Sequence, residues 1–316
     1  MAGSDLDVAS SRRVFPLVPR HRLTGGTFGA HASMRRGPGT DIAGSRAYVP
    51  GDRLTWIDWN TSARLSALRD TDAFVVREHY ADEAPRAIVI VDHHPAMGLY
   101  PPELPWLSKP GVVRNATLAI AAAARAARAY LGYLDFSGAA ARGGAPFWVS
   151  PQRASVRELE QRLTARLDAP NDTLERAIAH LITRRHDAQA GCFVFVVSDF
   201  LRPPPVETWL RARSRRWDLV PVIVQDPVWE QSFPSIQGIP IPIFDPATGR
   251  TARLRLSAGQ VDERRESNAA RLTSLTQMFR RLEFDPVVLG THDPHAIDLA
   301  FLEWSSRRRL VRRRAA

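Results

Sequence analysis

Ala87-Ile88-Val89-Ile90-Val91-Asp92 is a run of five apolar residues that ends in an aspartate. Two later runs have the same form, Cys192 to Asp199 and Leu219 to Asp226. Strands without polar alternation are buried on both faces, as in a parallel sheet that helices cover on both sides. Segments long enough for helices separate the runs, so the pattern predicts an α/β fold with a Rossmann-like parallel sheet and helices on both faces.

The predicted α/β domain spans residues 85–310. A proline-rich insertion at about residues 226–257 interrupts it, and Asp245 to Gly249 is typical of a hairpin loop. Apolar and helical periodicity predicts the remaining elements of the domain. These are helices at Arg114 to Leu131, from Ser155, and at Thr173 to Arg185, and strands at Tyr130 to Phe136, Pro146 to Ser150 and Pro286 to Leu289.

The sequence before residue 85 has a different pattern. Residues 1–40 are rich in Gly, Ser, Arg and Pro without a sustained period, which predicts an irregular arm. Residues 41–84 alternate turn residues with short runs such as Ala73 to Tyr80, which predicts a β-rich appendage.

Composition limits the functional class. With 316 residues and 44% hydrophobic content, the chain can form a full core. No run reaches the roughly 18 apolar residues of a membrane span, and the N-terminus lacks a signal sequence, so we predict a soluble, cytoplasmic protein without a membrane span. Cys192 is the only cysteine, which excludes an internal disulfide and a cysteine-based metal site.

The net charge of +10 raises the question of nucleic-acid binding. Much of that charge lies in a basic tail at residues 307–316, where a solvated helix end explains it better than a nucleic-acid surface. The tail arginines are Arg307, Arg308, Arg309, Arg312, Arg313 and Arg314, whereas Lys109 is the only lysine of the chain.

A dense group of motifs lies ahead of the first strand. It comprises Gly44 to Asp52, which contains Arg-x-Tyr-x-Pro-Gly-Asp, then Trp56-Ile57-Asp58-Trp59 and Ser62-Ala63-Arg64. The stretch resembles the bacterial family called domain of unknown function 58, in which this signature precedes a von Willebrand factor A-like domain. A second matching stretch begins at Asp226, so the resemblance covers about residues 40–300. It implies a von Willebrand A-type sheet and, as partners, a MoxR-type AAA+ ATPase and a client protein.

The signature residues carry complementary charges at short separation. Asp58 stands between two tryptophans, so we expect it to be half-buried and paired with Arg46 or Arg64. A structural ion-pair network is favoured over a partner-binding surface. The residues of this network are Arg46, Tyr48, Asp52, Asp58, Trp59 and Arg64.

The resemblance also implies a metal-ion-dependent adhesion site at the strand ends. By position, Asp92, Thr173 and Asp199 would be its ligands, while His94 and Ala96 stand where two serine hydroxyls are expected. Because Mg²⁺ prefers hard oxygen ligands, we predict a degenerate site that binds at most a weak divalent cation, Mg²⁺ or Mn²⁺. Partner recognition would then be metal-independent; its candidate rim residues are His93, His94, Pro95, Asp226 and Glu230.

Three functions remain open from the sequence. A non-catalytic protein-binding module or adaptor is favoured, because neither a phosphate-binding loop nor a nucleophile elbow is present. A metal-dependent hydrolase would use Asp92, His94 and Asp199, but adjacent residues at a strand end point in opposite directions, so His93 and His94 are not expected to share one metal. Nucleic-acid binding through the arginine tail is the third reading.

Overall fold

The computed structural model describes residues 13–20, 31–36, 42–49, 52, 54–99, 108–151, 156–184, 186–246 and 248–314. The chain forms two compact units. The smaller unit consists of Arg20–Pro85, and the larger one combines Met1–Pro19 with Arg86–Ala316. Parts of the predicted arm, Pro50 and Gly51 of the signature, and the last two residues of the tail lie outside the described residues.

The described part of the smaller unit contains a three-stranded antiparallel sheet and one α-helix. Strand β3 (Val75–Glu83) is central and pairs with β1 (His31–Arg36) and β2 (Ile42–Ala47). Helix α1 (Trp59–Arg69) begins after Asp58, whose carboxylate accepts a hydrogen bond from the backbone of Thr61 and so caps the helix. The structure thus differs from the sequence-based reading in two places, because β1 lies within the predicted arm and α1 within the predicted β-rich segment.

The larger unit is built on a six-stranded, mostly parallel sheet, which confirms the predicted α/β class. Its strands are β4 (Arg86–Val91), β5 (Tyr130–Asp135), β6 (Phe147–Val149), β7 (Phe193–Ser198), β8 (Asp218–Val224) and β11 (Val287–Leu289). The strand order is β11-β8-β7-β4-β5-β6, and only the β5–β6 pair is antiparallel.

Helices cover both faces of this sheet. On β4, Ala87, Val89 and Val91 pack into one hydrophobic core, whereas Ile88 and Ile90 pack into the other. The helices are α2 (Lys109–Ala126), α3 (Val156–Arg162), α4 (Thr173–Thr183), α5 (Val206–Ser214), α6 (Ala258–Arg281) and α7 (Pro294–Arg314). Helices α2 and α7 contribute to the first core, and α4, α5 and α6 to the second. None of the helices in the described ranges is long and apolar enough to cross a membrane.

The insertion after β8 contains a β-hairpin. Strands β9 (Pro240–Asp245) and β10 (Arg250–Arg255) pair antiparallel around the turn expected from the sequence. Behind the hairpin, Phe233, Leu256 and Val261 form a small third core of their own.

Helix α7 is anchored rather than free at its basic end. Arg308 is buried, and its guanidinium donates to the carboxylates of Asp218 and Asp285 and to the carbonyl of Val18. Phe15 stacks on Phe301 with a ring-centroid separation of 4.6 Å. One of the tail arginines therefore belongs to the core, and this part of the tail is not the solvated helix end that the sequence suggested.

Candidate functional site at the strand ends

The candidate site lies where β4 and β7 end side by side. Val91 pairs with Val197, so the next residues, Asp92 and the Ser198-Asp199 pair, lie at one edge of the sheet. The chain leaves β4 toward α2 on one face and β7 toward α5 on the other. In open α/β sheets, such a reversal of strand order opens a crevice in which ligands bind.

Asp92 is held by hydrogen bonds to its neighbours. Its Oδ2 accepts from the hydroxyl of Ser198 at 2.7 Å, and its Oδ1 accepts from the backbone N–H of His94 at 2.8 Å. Burial raises the pKa of Asp92 to about 6, and the nearby charge of Asp199 acts in the same direction. Asp92 is thus an internal carboxyl that links two strand ends.

Lys109 lies between two carboxylates in the interior. Its Nζ is 2.8 Å from Oδ2 of Asp199 and 2.6 Å from Oε1 of Glu230. The lysine is fully buried at the first position of α2, directly after Ser108, whose hydroxyl caps the helix. The sequence did not single out Lys109 as a site residue, although its being the one lysine among so many arginines was a usable signal.

Burial disfavours the charged forms of both Lys109 and Glu230. It raises the pKa of the Glu230 carboxyl, whereas the carboxylates of Asp199 and Glu230 raise the pKa of Lys109 in spite of burial. Contacts of 2.6 and 2.8 Å are those of an ammonium shared between two carboxylates, and hydrogen bonds of this charged type are about twice as strong as neutral ones.

The two residues that follow β8 are hydrogen-bonded to Asp199 and Glu230. Gln225 donates from its amide nitrogen to the carbonyl of Asp199 at 2.6 Å, and the backbone N–H of Asp226 donates to Oε2 of Glu230 at 2.8 Å. Within the described ranges, the buried Oε1 of Gln225 and Oδ2 of Asp226 have no hydrogen-bond partner. Asp226 and Glu230, both predicted as rim residues, are therefore interior groups.

His94 belongs to the outer layer of the site. Its Nδ1 accepts from the backbone N–H of Ala96, so its Nε2 carries the proton and donates to Oδ1 of Asn171 at 2.7 Å. The same oxygen accepts from the guanidinium of Arg202 at 2.8 Å. We call His94, Asn171 and Arg202 the rim array. His94 lies in the loop after β4, Asn171 in the loop before α4 and Arg202 in the loop after β7, so their hydrogen bonds join the three loops.

His93 points away from His94, as expected for neighbours at a strand end. Its Nε2 lies 3.1 Å from the hydroxyl of Tyr133 and 3.9 Å from Oδ2 of Asp135. Burial lowers the pKa of His93, which favours the neutral ring. Arg162 donates two hydrogen bonds of 2.7 Å to the carboxylate of Asp135. The charged groups around His93 are therefore also paired with each other.

Two other predicted site residues are Thr173, predicted as a metal ligand, and Pro95, predicted as a rim residue. Thr173 is buried at the first position of α4, and Pro95 is half-buried in a short 3₁₀ turn. No group of three or more His, Cys, Asp or Glu side chains among the described residues is arranged to hold a metal ion. At Asp199, the positive charge nearest the carboxylate is the ammonium of Lys109.

The signature network of the smaller unit has a different pairing from the one expected. Arg46 forms two hydrogen bonds with Asp52, at 2.7 and 2.6 Å, and this contact lowers the pKa of Asp52 to about 2. Asp58 pairs with Arg77 at 3.0 Å, so the expected pairing with Arg46 or Arg64 is wrong. The reason is the antiparallel sheet, because β3 places Arg77 opposite β2 and near the N-terminus of α1.

The aromatic residues of the signature surround Phe74. The rings of Tyr48 and Trp59 meet it edge-on, with centroid separations of 6.4 and 6.1 Å. Trp59 nevertheless stays 61% exposed, and Arg64 is exposed on α1. The network thus caps a helix and closes a turn within its own unit.

Comparison with known proteins finds a family model and relatives in two mycobacteria. A family model described as "Protein of unknown function DUF58" matches residues 44–274. Uncharacterized proteins of Mycobacterium tuberculosis and Mycobacterium bovis are each 26% identical over 234 residues, which cover 72% of this chain and 69% of theirs.

Two solved structures from Bacteroides are similar at a lower level. The conserved hypothetical protein BatB from Bacteroides thetaiotaomicron is 15% identical with a TM-score of 0.38. An aerotolerance-related membrane protein from Bacteroides fragilis is 13% identical with a TM-score of 0.41. Each similarity covers 71% of this chain and 100% of the solved one.

Proposed function

The chain belongs to the family of proteins of unknown function DUF58, and from its geometry we propose that it is a non-catalytic protein-binding module with a von Willebrand factor A-like sheet. The partners we propose are a MoxR-type AAA+ ATPase and a client protein that the ATPase remodels or matures. The family resemblance motivates this choice of partner class. The arrangement of the strand-end rim supports a binding role.

The rim array is the observation that carries the proposal. Asn171 Oδ1 accepts hydrogen bonds from both His94 and Arg202, so three loops from different parts of the sequence form one polar surface. Arg202 is exposed, and a guanidinium has five donors, so it retains donors for a partner. Preorganised polar groups on rigid loops give an interface its specificity.

The inner groups of the site are engaged with each other instead of facing solvent. Ser198, whose hydroxyl donates to Asp92 at 2.7 Å, is 1% exposed. Nucleophilic catalysis needs an accessible nucleophile within reach of a base, and Ser198 is not accessible. The metal-dependent hydrolase is not favoured either, since Asp199 contacts Lys109 while His94 contacts Asn171.

A direct binding experiment tests the proposal. The purified chain is used to recover proteins from the source cell, recovered AAA+ ATPases are identified by mass spectrometry, and binding is repeated with the purified ATPase. We expect Arg202→Glu to weaken binding at least about tenfold, because it reverses a charge within the rim array.

Arg213→Glu is the matched control. Arg213 is also an exposed arginine in an ion pair, with Glu283, but it lies near the C-terminus of α5, at the opposite edge of the sheet. It should leave binding unchanged. Failure to recover any AAA+ ATPase, or equal effects of the two variants, would count against the proposal, and a hydrolytic activity of the purified chain would refute its non-catalytic part.

A further inference from the structure

Lys109 is an exception in both composition and burial. The chain contains 43 lysines and arginines, and Lys109 is the only lysine among them. It is 0% exposed, whereas lysine is among the residues that are almost never fully buried unless paired. The chain therefore has an ammonium at a single side-chain position, and that position is inside the protein between two carboxylates.

The geometry explains why an ammonium suits this position. A guanidinium is a flat fork, whereas an ammonium is a compact charge whose three donors point in different directions. The oxygens of Asp199 and Glu230 approach Nζ from two elements, the end of β7 and the loop after β8, at 2.8 and 2.6 Å. Oxygens from separate elements that converge on one small charge also describe the surroundings of a hard metal ion.

The second carboxylate oxygens are already positioned by backbone donors. Asp199 Oδ1 accepts from the N–H of Leu201 at 3.0 Å, and Glu230 Oε2 accepts from the N–H of Asp226 at 2.8 Å. Each carboxylate thus keeps its other oxygen directed at the ammonium. This is the arrangement in which backbone hydrogen bonds orient the oxygens that hold a cation.

The two residues that follow β8 each carry an unsatisfied acceptor. Gln225 Oε1 and Asp226 Oδ2 are buried and have no hydrogen-bond partner in the described part of the chain, although other atoms of the two residues donate hydrogen bonds to Asp199 and Glu230. Ca²⁺ and Mg²⁺ complete their coordination with carbonyl oxygens and water, and Mg²⁺ needs only one or two carboxylates. The residues that are hydrogen-bonded to Asp199 and Glu230 therefore carry two buried acceptors without a donor in the described part of the chain.

We propose that Asp199 and Glu230 form a latent site for a hard divalent cation, and that the ammonium of Lys109 occupies this site in the native chain and excludes the metal. The lysine supplies the positive charge that the buried carboxylates need. The structure of the rim array therefore does not depend on the metal content of the cell. This inference is independent of the identity of any protein partner, because it concerns only the interior of the site.

Mn²⁺ is the probe, and electron paramagnetic resonance of the free ion measures its binding to the full chain. We expect Lys109→Ala to bind Mn²⁺ at least about tenfold more tightly than the wild type, because a like charge has been removed from the position of the ion. Mn²⁺ should also raise the melting temperature of this variant and leave that of the wild type unchanged. The double variant Lys109→Ala/Glu230→Gln should lose the gain, since one carboxylate of the site is then neutral.

Two results would overturn the inference. One is stoichiometric Mn²⁺ binding at Asp199 by the wild type, recognised by its loss in Asp199→Asn, and the other is a folded Lys109→Ala chain that binds Mn²⁺ no better than the wild type. If Lys109→Ala does not fold, Lys109→Gln takes its place under the same criterion, because its amide can still donate to one carboxylate.

The native chain offers a test that needs no variant. Because Lys109 is the only lysine, an amine-directed acetylating reagent can modify only this side chain and the α-amino group. Mass spectrometry should find Lys109 unmodified in the folded chain and modified after denaturation. Modification of Lys109 in the folded chain at the rate seen in the denatured chain would refute its place in the site.

Discussion

Replacement of Arg308 by alanine should destabilise the larger unit strongly, although the residue belongs to a run of arginines near the C-terminus. The guanidinium donates to Asp285 at 2.8 Å, to Asp218 at 2.9 Å and to the carbonyl of Val18 at 3.0 Å. It also lies over the ring of Trp304, 4.3 Å from the ring centroid. Its side chain is 3% exposed, so the guanidinium itself is shielded from water.

The contacts of Arg308 contribute unequally to the free energy of unfolding. The Asp218 side chain is 8% exposed, and removal of one partner from a buried ion pair costs about 3–5 kcal/mol. The Asp285 side chain is 34% exposed, so water screens that pair and we assign it little. Lost stacking on Trp304 and the lost hydrogen bond to Val18 act in the same direction. We therefore expect the free energy of unfolding to fall by about 3 kcal/mol, the lower end of the range for a broken buried pair.

Urea denaturation followed by far-ultraviolet circular dichroism measures this loss, with Arg307→Ala as the control. Arg307 precedes Arg308 on the same helix but is exposed, and an exposed substitution of this kind changes stability by less than about 0.5 kcal/mol. The reasoning would be refuted if the two variants differed by less than about 1 kcal/mol, the size of one ordinary hydrogen bond.

Two further predictions concern carboxylates. Asp58→Ala should lower the melting temperature of the smaller unit more than Asp58→Asn, because asparagine still caps α1 while both variants lose the charge opposite Arg77; equal melting temperatures would contradict this. The backbone of Thr61 and Arg77 hold the pKa of Asp58 below its ordinary value of 3.8, so its contribution is present above that pH and is lost as the pH falls through the lowered value. Burial raises the pKa of Asp92 to about 6, so its contribution is present below pH 3.8 and is lost as the pH rises through about 6. Asp92→Asn should remove this fall from stability curves recorded between pH 4 and 7, and a slope equal to that of the wild type would show that Asp92 is not the titrating group.

The class of the fold follows from short-range pattern. Runs such as 87–92 and 192–199 contain no polar alternation, and a strand of that kind needs apolar layers on both faces wherever the chain takes it. The position of the site edge follows too, because Asp92 and Asp199 each come directly after such a run. Periodicity did not predict that β6 is antiparallel, since the direction of a three-residue strand depends on the path of the loops around it.

Within the smaller unit, the composition of the signature indicated an ion-pair network but not its pairing. Asp58 lies close to Arg46 and Arg64 in the sequence, yet its partner is Arg77, 19 residues away. Strand pairing brings Arg77 to Asp58, and separation along the chain carries no information about which strand becomes the neighbour.

The sequence by itself determined the parallel sheet and the strand ends at which polar groups collect. Only the tertiary structure decided what neutralises the carboxylates there. Lys109 and Glu230 are 121 residues apart, and they meet because α2 and the loop after β8 start from the same edge of one sheet. A buried charge needs an opposite charge close to it in space. Which residues are close in space depends on how the helices and strands pack.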